Sequence, residues 1–154
     1  MRIAAEILDI ATNSGTMIAT AESCTGGMLA AALTDLPGSS SIYDRGFVTY
    51  TNSAKTDMLN VSPDTLATFG AVSEEVAREM ALGALSNSDA QIAVSVTGIA
   101  GPGGTEHKPE GRVCFGIATA QQCQTETVEF GAVGRDAVRA AARDHALALL
   151  RRAL

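Results

Sequence analysis

Residues 92–98, IAVSVTG, form an almost uninterrupted apolar run that decides the fold class. A run of this length without polar alternation is typical of a central strand that is buried on both faces of a sheet. The β-branched stretch TMIAT at 16–20 predicts a second strand, and GFVTY at 46–50 predicts a third. Helical patterns separate these strands along the chain, and this alternation predicts an α/β fold.

The remaining elements complete a layered domain. Helices are predicted at 2–13, at 28–33, from Pro63, from Ser73 to about Leu85 and at 135–152, with Ser62 and Ser73 as N-caps. The strands predicted at 113–120 and 124–130 are separated by three residues, which favours an antiparallel hairpin. We therefore expect a single domain over residues 1–154, a three-layer α/β/α sandwich with a mixed, mainly parallel sheet.

Composition excludes several classes of function. The formal net charge of −6 argues against nucleic-acid binding, which normally needs a basic surface. No run of about 18 apolar residues occurs, so no membrane span is expected. The first apolar stretch is interrupted by Glu6 and Asp9, unlike a signal peptide. These features predict a cytoplasmic protein.

Cysteine and histidine are too few and too scattered for a metal site. The three cysteines are odd in number and lack CxxC spacing, which indicates neither a disulfide framework nor zinc binding. Of the two histidines, His145 falls on the apolar stripe of the last helix, and nothing in the sequence fixes the loop residue His107 near a site. We expect neither a metal nor a cofactor.

The stretch TAESCTGG, residues 20–27, places two candidate nucleophiles directly before a glycine pair. It joins a predicted strand to a predicted helix, whose first amides lack intrahelical partners and are expected to face a ligand. A nucleophile at Ser23 would then lie beside donors for an anionic oxygen. One alternative is that Ser23 or Thr25 only caps the helix. Another is Cys24, either as a thiolate nucleophile or as a small buried apolar residue.

A serine nucleophile needs a base, and YTNSAK at 50–55 offers Tyr50 and Lys55. A lysine can accept a proton when burial or a nearby positive charge, such as a pyridinium substrate, lowers its pKa. The usual alternative is a solvated surface lysine. That alternative is weaker here because lysine is rare and occurs only at positions 55 and 108.

The glycine-rich segment TGIAGPGGTEHKPEG, residues 97–111, directly follows the buried strand. Ligands of open α/β sheets bind beyond the carboxyl ends of the strands, and a loop of this composition can form an anion-binding concavity. The alternative interpretation of this segment is a long surface connection, although long loops inside compact domains are often functional. PGSSS at 37–41 adds hydroxyl groups after the first motif helix.

Five motifs, AESCTGG, LPGSSSIY, VTYTNSAK, GAVSEEVA and TGIAGPGGTEHKPEG, occur in this order over almost the whole chain. In this the chain resembles the CinA family, specifically the C-terminal competence/damage-inducible domain that also exists as a free-standing nicotinamide-nucleotide amidohydrolase. The resemblance implies a three-layer α/β/α fold and deamidation of nicotinamide mononucleotide to nicotinate mononucleotide and ammonia. Larger family members carry an additional N-terminal domain of nucleotide-pyrophosphatase type, for which 154 residues leave no room.

The resemblance also implies roles for individual residues. Ser23 is similar in position to the nucleophile, with Lys55 and Tyr50 as its catalytic partners. Site-forming and substrate-binding positions follow the same motifs: Thr25, Gly26, Gly27, Ser39, Thr97, Gly98, Ala100, Gly101, Gly103, Gly104 and Lys108. Asp44-Arg45-Gly46 departs from the glycine pair that relatives favour, so Arg45 is expected either to contact the phosphate or to be exposed.

Three functions compete at this stage. The first is a serine amidohydrolase whose partner is a small pyridine mononucleotide, in a chain that could form a homo-oligomer. The second is a catalytically silent nucleotide-binding or regulatory module, because a fold can persist without its activity. The third is a cysteine hydrolase that uses Cys24.

Overall fold

The computed structural model describes residues 2–105 and 107–154 and shows helices on both faces of a five-stranded sheet. The elements in chain order are α1 (Arg2–Ser14), β1 (Ile18–Glu22), α2 (Met28–Leu33), a 3-10 turn (Ser39–Ser41), β2 (Tyr43–Val48), α3 (Asn52–Leu59), α4 (Pro63–Phe69), α5 (Glu74–Ser86), β3 (Ile92–Gly98), β4 (Arg112–Thr119), β5 (Cys123–Glu129) and α6 (Arg135–Ala153). Among these elements no helix is long and apolar enough to cross a bilayer.

The strands are arranged in the order β2-β1-β3-β4-β5. β1 pairs in parallel with both β2 and β3, whereas β4 is antiparallel to both of its neighbours. Four strands therefore run in one direction and β4 runs against them. This confirms the predicted mixed, mainly parallel sheet and the hairpin between the last two strands.

Alternate side chains of β3 enter two different cores, as the two-sided apolar run predicted. Ile92, Val94 and Val96 pack in the cluster that includes residues of α1, α2 and α6. Ala93 points the other way and packs with Met80 of α5. The sheet is thus covered on both faces, which confirms the three-layer α/β/α architecture.

Successive strands are added on opposite sides of β1, so the order of strands in the sheet reverses there. From β1 it passes through α2 to β2 on one side, and it then returns through α3, α4 and α5 to β3 on the other side. In open α/β sheets such a reversal opens a crevice at the carboxyl end of the strand, where ligands bind. Ser23 is the first residue after β1 and lies at this point.

The structure differs from the sequence-based prediction at α3. The segment Asn52–Leu59 was not predicted as a helix because its apolar residues show little helical periodicity. Its N-cap is nevertheless regular, since the Thr51 hydroxyl accepts a hydrogen bond from the Ala54 amide at 3.1 Å. β2 begins at Tyr43, earlier than expected, because the first residues of this edge strand are polar and form no apolar run.

Candidate active site

Ser23 and Lys55 meet in the crevice at the end of β1. The Lys55 Nζ atom lies 3.0 Å from the Ser23 Oγ atom, although 32 positions separate the two residues. Ser23 directly follows β1 and Lys55 lies in α3, so the pair forms only when the sheet and α3 are both in place. Both side chains are buried, and Lys55 is only 1% exposed.

Two backbone carbonyls fix the direction of the Lys55 amine. Nζ donates to the carbonyl oxygen of Thr49 at 2.9 Å and to that of Tyr50 at 3.3 Å. A carbonyl can only accept, so two N–H bonds of the amine point at these oxygens. In the neutral amine the remaining position is the lone pair, which then points at the Ser23 hydroxyl. Burial lowers the pKa of Lys55 from 10.5 to about 8, which makes this neutral form accessible.

The first amides of α2 are occupied by a carboxylate. Glu22 is 1% exposed, and its Oε1 atom accepts from the Thr25 hydroxyl at 2.5 Å and from the Gly27 and Leu29 amides at 3.2 and 3.0 Å. Its Oε2 atom accepts from the Ala30 amide at 3.0 Å. The expectation that these amides face a ligand is therefore wrong, because an acidic side chain already satisfies them and complements the helix dipole.

The turn after Ser23 is held by its own backbone and by α6. The Gly26 amide donates to the Ser23 carbonyl at 3.1 Å. From α6, Arg139 donates to the carbonyl oxygens of Cys24 at 3.0 Å and Thr25 at 3.4 Å. Thr25, Gly26 and Gly27 accordingly shape the turn and do not line the cleft.

Cys24 lies beside Ser23 on the cleft wall but is poorly suited to nucleophilic chemistry. Burial raises the pKa of its thiol to about 11, so the thiol remains protonated at neutral pH. His145 Nε2 lies 3.1 Å from Glu126 on another part of the molecule, and His107 is not among the residues that line the cleft. Across residues 2–105 and 107–154, no three His, Cys, Asp or Glu side chains cluster in a way that could hold a metal ion.

The cleft in front of Ser23 has a volume of about 290 Å³, which is at the small end of the range for ligand pockets, about 300 to 1,000 Å³. The glycine-rich segment 97–111 forms one wall, and five of the residues proposed there as substrate-binding line it: Thr97, Gly98, Ala100, Gly101 and Gly103. Ser23, Tyr50 and Lys55 line the cleft as well, and Ile99 and Pro102 belong to the same predicted loop. Cys24 was considered as an alternative nucleophile. The lining residues that were not predicted as site residues are Asn52, Ala71, Val72, Thr105 and Arg135.

Thr97 and Gly98 position that wall. The Thr97 hydroxyl donates to the Ala71 carbonyl at 2.8 Å and so ties the end of β3 to the loop before α5. A Cβ atom at Gly98 would lie 2.6 Å from the Val113 Cγ2 atom and 3.1 Å from the Cys24 Sγ atom. Only glycine fits at this position without displacing the residue next to Ser23.

Two residues predicted to contact substrate, Arg45 and Ser39, lie at the amino ends of the strands, away from the cleft, and Arg45 is exposed, as its second alternative expected. Arg45 is near the start of β2, where it pairs in register with Ala19, and its guanidinium contacts Asp44 at 2.8 Å and Asp89 at 3.3 Å. Ser39 precedes β2 and lies at the same edge. Because β1 and β2 are parallel, residues before or early in β2 are far from the carboxyl end of β1.

Lys108 and Gly104 were also predicted to bind the ligand, and the structure places neither on the cleft wall. The Lys108 Nζ atom donates to the carbonyl oxygens of Phe69 at 2.5 Å and Val72 at 2.7 Å. A Cβ atom at Gly104 would lie 2.1 Å from the Lys108 carbonyl oxygen, so this glycine permits a tight turn. Lys108 thus fastens the glycine-rich loop to the residues before α5.

Tyr50 contributes to the site in a different way from that predicted. Its carbonyl oxygen contacts the Lys55 amine, but its side chain is 57% exposed. The phenolic oxygen accepts a hydrogen bond from the Arg135 Nη2 atom at 2.8 Å. The structure therefore brings Ser23 and Lys55 together and places the Tyr50 hydroxyl on the outer part of the cleft.

Comparison with known proteins agrees with this fold and these motifs. Residues 1–154 match the family model of the CinA C-terminal domain. The nicotinamide-nucleotide amidohydrolase PncC of Escherichia coli K12 is 52% identical over 137 residues, which cover 88% of this chain and 83% of that protein. A CinA-like protein of Chloroherpeton thalassium is 54% identical over 121 residues, but the match covers 78% of this chain and only 29% of that longer relative.

A solved structure shows the same architecture. The competence/damage inducible protein CihA from Agrobacterium tumefaciens superposes with a TM-score of 0.94 at 49% sequence identity, covering 97% of this chain and 92% of that one. This chain spans about a third of the length of the longer curated relatives, for which the covered shares are 29% and 36%. The family match along all 154 residues and the shared fold show that the chain belongs to the CinA family, within its C-terminal domain.

Proposed function

We propose that this chain is a nicotinamide-nucleotide amidohydrolase, which converts nicotinamide mononucleotide and water to nicotinate mononucleotide and ammonia with Ser23 as the nucleophile. The observation that carries the proposal is the buried contact of 3.0 Å between the Ser23 Oγ and Lys55 Nζ atoms at the floor of a ligand-sized cleft. The name of the 52% identical relative from E. coli supports the same reaction.

In the first half of the reaction, Lys55 acts as a general base. Its neutral amine accepts the proton of the Ser23 hydroxyl while Oγ attacks the carboxamide carbon. The tetrahedral intermediate then collapses: the C–N bond breaks, Lys55 returns the proton to the leaving nitrogen, and ammonia departs. An ester between Ser23 and the nicotinoyl group remains.

In the second half, water replaces ammonia. Lys55 takes a proton from water as its oxygen attacks the ester carbon, and the bond to Ser23 Oγ breaks. That proton passes to Oγ, and the carboxylic acid that forms loses its remaining proton to solvent, so nicotinate mononucleotide leaves with a carboxylate in place of the amide. Lys55 thus relays the Ser23 proton to ammonia in the first half and a water proton to Oγ in the second, and it ends unchanged. Because Glu22 occupies the α2 amides, the donors for the developing oxyanion must be other groups on the cleft wall.

The positive charge of the substrate supports a lysine base. The nicotinamide ring of the mononucleotide is a pyridinium cation, and a cation close to Lys55 favours the neutral amine further. Burial alone already lowers the pKa of Lys55 to about 8. The cysteine alternative has no such support, because burial raises the pKa of Cys24 to about 11.

Ammonia release from nicotinamide mononucleotide by the purified protein tests the proposal. We expect turnover by the parent, a loss of at least about 1,000-fold in kcat for Ser23→Ala, and a change of only a few-fold for the matched neighbour Cys24→Ala. An active Ser23→Ala with an inactive Cys24→Ala would transfer the nucleophile to the thiol. Tight binding of the mononucleotide by a parent that releases no ammonia would favour a nucleotide-binding module.

A further inference from the structure

A buried carboxylate lies directly behind the nucleophile. Glu22 is the last residue of β1 and precedes Ser23 in the chain. Its two oxygens accept four hydrogen bonds, and all four donors are neutral groups: the Thr25 hydroxyl and the Gly27, Leu29 and Ala30 amides. Burial of an ionised carboxylate is costly unless its oxygens are hydrogen-bonded. This chain meets that requirement at the turn that follows Ser23.

The nucleophile turn, residues 23–27, has little rigidity of its own. Gly26 and Gly27 have φ angles of +57° and +108°, a region that glycine enters easily because it has no Cβ atom. Glycine also loses more conformational freedom on folding than any other residue. Side chains outside the glycine pair must therefore keep this turn in one conformation.

Two opposite charges hold the peptide groups of the nucleophile turn. The Glu22 carboxylate accepts from amides at the end that leads into α2. From α6, the Arg139 guanidinium donates to the carbonyl oxygens of Cys24 at 3.0 Å and Thr25 at 3.4 Å. The turn thus lies between an acid that binds its N–H groups and a base that binds its C=O groups.

Backbone bonds fix the amino side of Ser23 and the direction of Lys55. The Ser23 amide donates to the Val96 carbonyl at 2.9 Å. The Glu22 carbonyl accepts from the Thr49 amide at 2.8 Å, and the Thr49 carbonyl accepts in turn from the Lys55 Nζ atom at 2.9 Å. The carboxyl side of Ser23 has no strand partner of this kind, because it leads into the glycine pair. The Glu22 side chain restrains this side.

We infer that Glu22 is a positioning residue, whose carboxylate holds the nucleophile turn so that the Ser23 hydroxyl stays in contact with the Lys55 amine. The inference rests on the function proposed above, and Glu22 acts through Ser23 without lining the cleft. The four donors require an acid at this position. An ionised carboxylate only accepts, whereas the amide of a glutamine has a single acceptor oxygen, and its NH2 group would face one of the donors.

Glu22→Gln tests the inference because it keeps the shape of the side chain and removes two acceptor positions. We expect kcat for ammonia release from nicotinamide mononucleotide to fall by about 10- to 100-fold, since a small misplacement of a reacting group costs about this much. KM should change by less than about three-fold. The pH at which kcat/KM reaches half of its plateau should match that of the parent, because Lys55 is unaltered. A loss confined to KM, or a shifted midpoint, would contradict the inference.

Glu74→Gln is the matched control. Glu74 begins α5, and its carboxylate accepts from the Thr125 and Thr127 hydroxyls, each at 2.8 Å, away from the cleft. Its substitution should lower the melting temperature and leave kcat per folded molecule unchanged. Equal losses of kcat in Glu22→Gln and Glu74→Gln, at the same folded fraction, would give Glu22 a structural role only and overturn the inference.

A milder pair of variants decides the question if Glu22→Gln does not fold. Thr25→Val keeps the shape of the side chain and removes one of the four donors to Glu22. We expect kcat to fall by about three- to ten-fold, which corresponds to the loss of one hydrogen bond. Thr25→Ser retains the hydroxyl and should recover most of that loss. Equal kcat values in the two variants would reject the inference.

Labelling of Ser23 by a fluorophosphonate keeps this inference distinct from the proposed function. The bond from Oγ to phosphorus forms as the P–F bond breaks, fluoride leaves and the Ser23 proton passes to Lys55, so the rate depends on the same contact without an amide substrate. A parent that releases no ammonia would end the amidohydrolase proposal and could still be labelled. Slower labelling of Glu22→Gln than of the parent and Glu74→Gln supports the inference. Equal rates, or a parent that is not labelled at Ser23, reject it.

Discussion

In the proposed mechanism Lys55 is the residue on which the chemistry depends most directly, because its pKa determines what fraction of its amine is neutral. At a pKa of about 8, about a tenth of the side chain is neutral at pH 7, whereas a lysine at its ordinary pKa of about 10.4 is neutral in roughly one molecule in 2,500. The neutral amine is the active form, so activity should rise with pH. We expect kcat/KM to increase tenfold per pH unit below about pH 8 and to level off above it.

Substitution of Lys55 tests its role as a base. A guanidinium stays charged at all accessible pH values, so Lys55→Arg should be almost as damaging as Lys55→Ala, with kcat lowered by about 100- to 10,000-fold. Lys108→Arg is the control, because an arginine can also donate to the Phe69 and Val72 carbonyls. Full kcat in Lys55→Arg would rule out Lys55 as the base. So would a pH profile of kcat/KM in Lys55→Ala that matches the profile of the parent.

The sequence predicted some residues of the site and missed others for identifiable reasons. Ser23 and Lys55 stand in motifs next to strand ends, and the structure brings them into contact. Arg135 begins a helix far along the chain, and no local spacing links it to Ser23. Glu22 was not predicted as a site-forming residue. Its role depends on burial, and the sequence alone does not show that this polar side chain is buried. The two alternatives for Arg45 stayed open because the sequence alone does not show which end of β2 faces the cleft.

At the scale of elements, the position of α3 depends on a glycine in α5. An alanine Cβ at Gly83 would lie 2.0 Å from the Leu59 carbonyl oxygen, which belongs to the last residue of α3. This contact is with backbone, which cannot move aside cheaply. Gly83 thus allows α3, which carries Lys55, to approach α5 closely.

We therefore expect Gly83→Ala to destabilise the protein by about 1 to 3 kcal/mol through overpacking and to lower kcat by displacing Lys55. Alanine is favoured over glycine by about 1 kcal/mol within a helix, so helix propensity alone predicts that Gly83→Ala stabilises the protein. Chemical denaturation and steady-state kinetics measure the two effects. Leu82→Ala, at the neighbouring exposed position, is the control and should change neither the free energy of unfolding nor kcat by much. A stabilised and fully active Gly83→Ala would show that α3 is not held by this contact.

Helices and strands could be predicted from the sequence where their apolar residues form a clear pattern. β3 was predicted at its observed limits because its burial on both faces leaves a continuous apolar run. α3 was missed because its stability comes from a hydroxyl N-cap and from a few packed residues, Lys55 and Leu59 among them, with no apolar stripe to mark it. The amphipathic signal was thus absent in the helix whose buried face carries Lys55.

At the scale of the molecule, strand order explains where the site lies. The alternation of helices and strands predicted a layered α/β fold, but it did not determine that β1 lies between β2 and β3. That order places the reversal of the chain at Ser23 and opens the crevice there. Four segments separated in sequence, carrying Ser23, Lys55, the glycine-rich loop and Arg135, reach the cleft only through this topology.

The charge of the cleft has a consequence for product retention. The proposed hydrolysis would create a carboxylate at Ser23, beside Lys55, in a cleft whose described lining has a second cation, Arg135, and no acid to repel it. If the proposed reaction holds, nicotinate mononucleotide should inhibit competitively with a Ki below the dissociation constant of the substrate, and the difference should shrink as salt screens the charges. Weaker binding of the product than of the substrate at low salt would contradict this. Release of the acid, and not cleavage of the amide, would then be the rate-limiting step at low ionic strength. Moderate salt would therefore increase kcat.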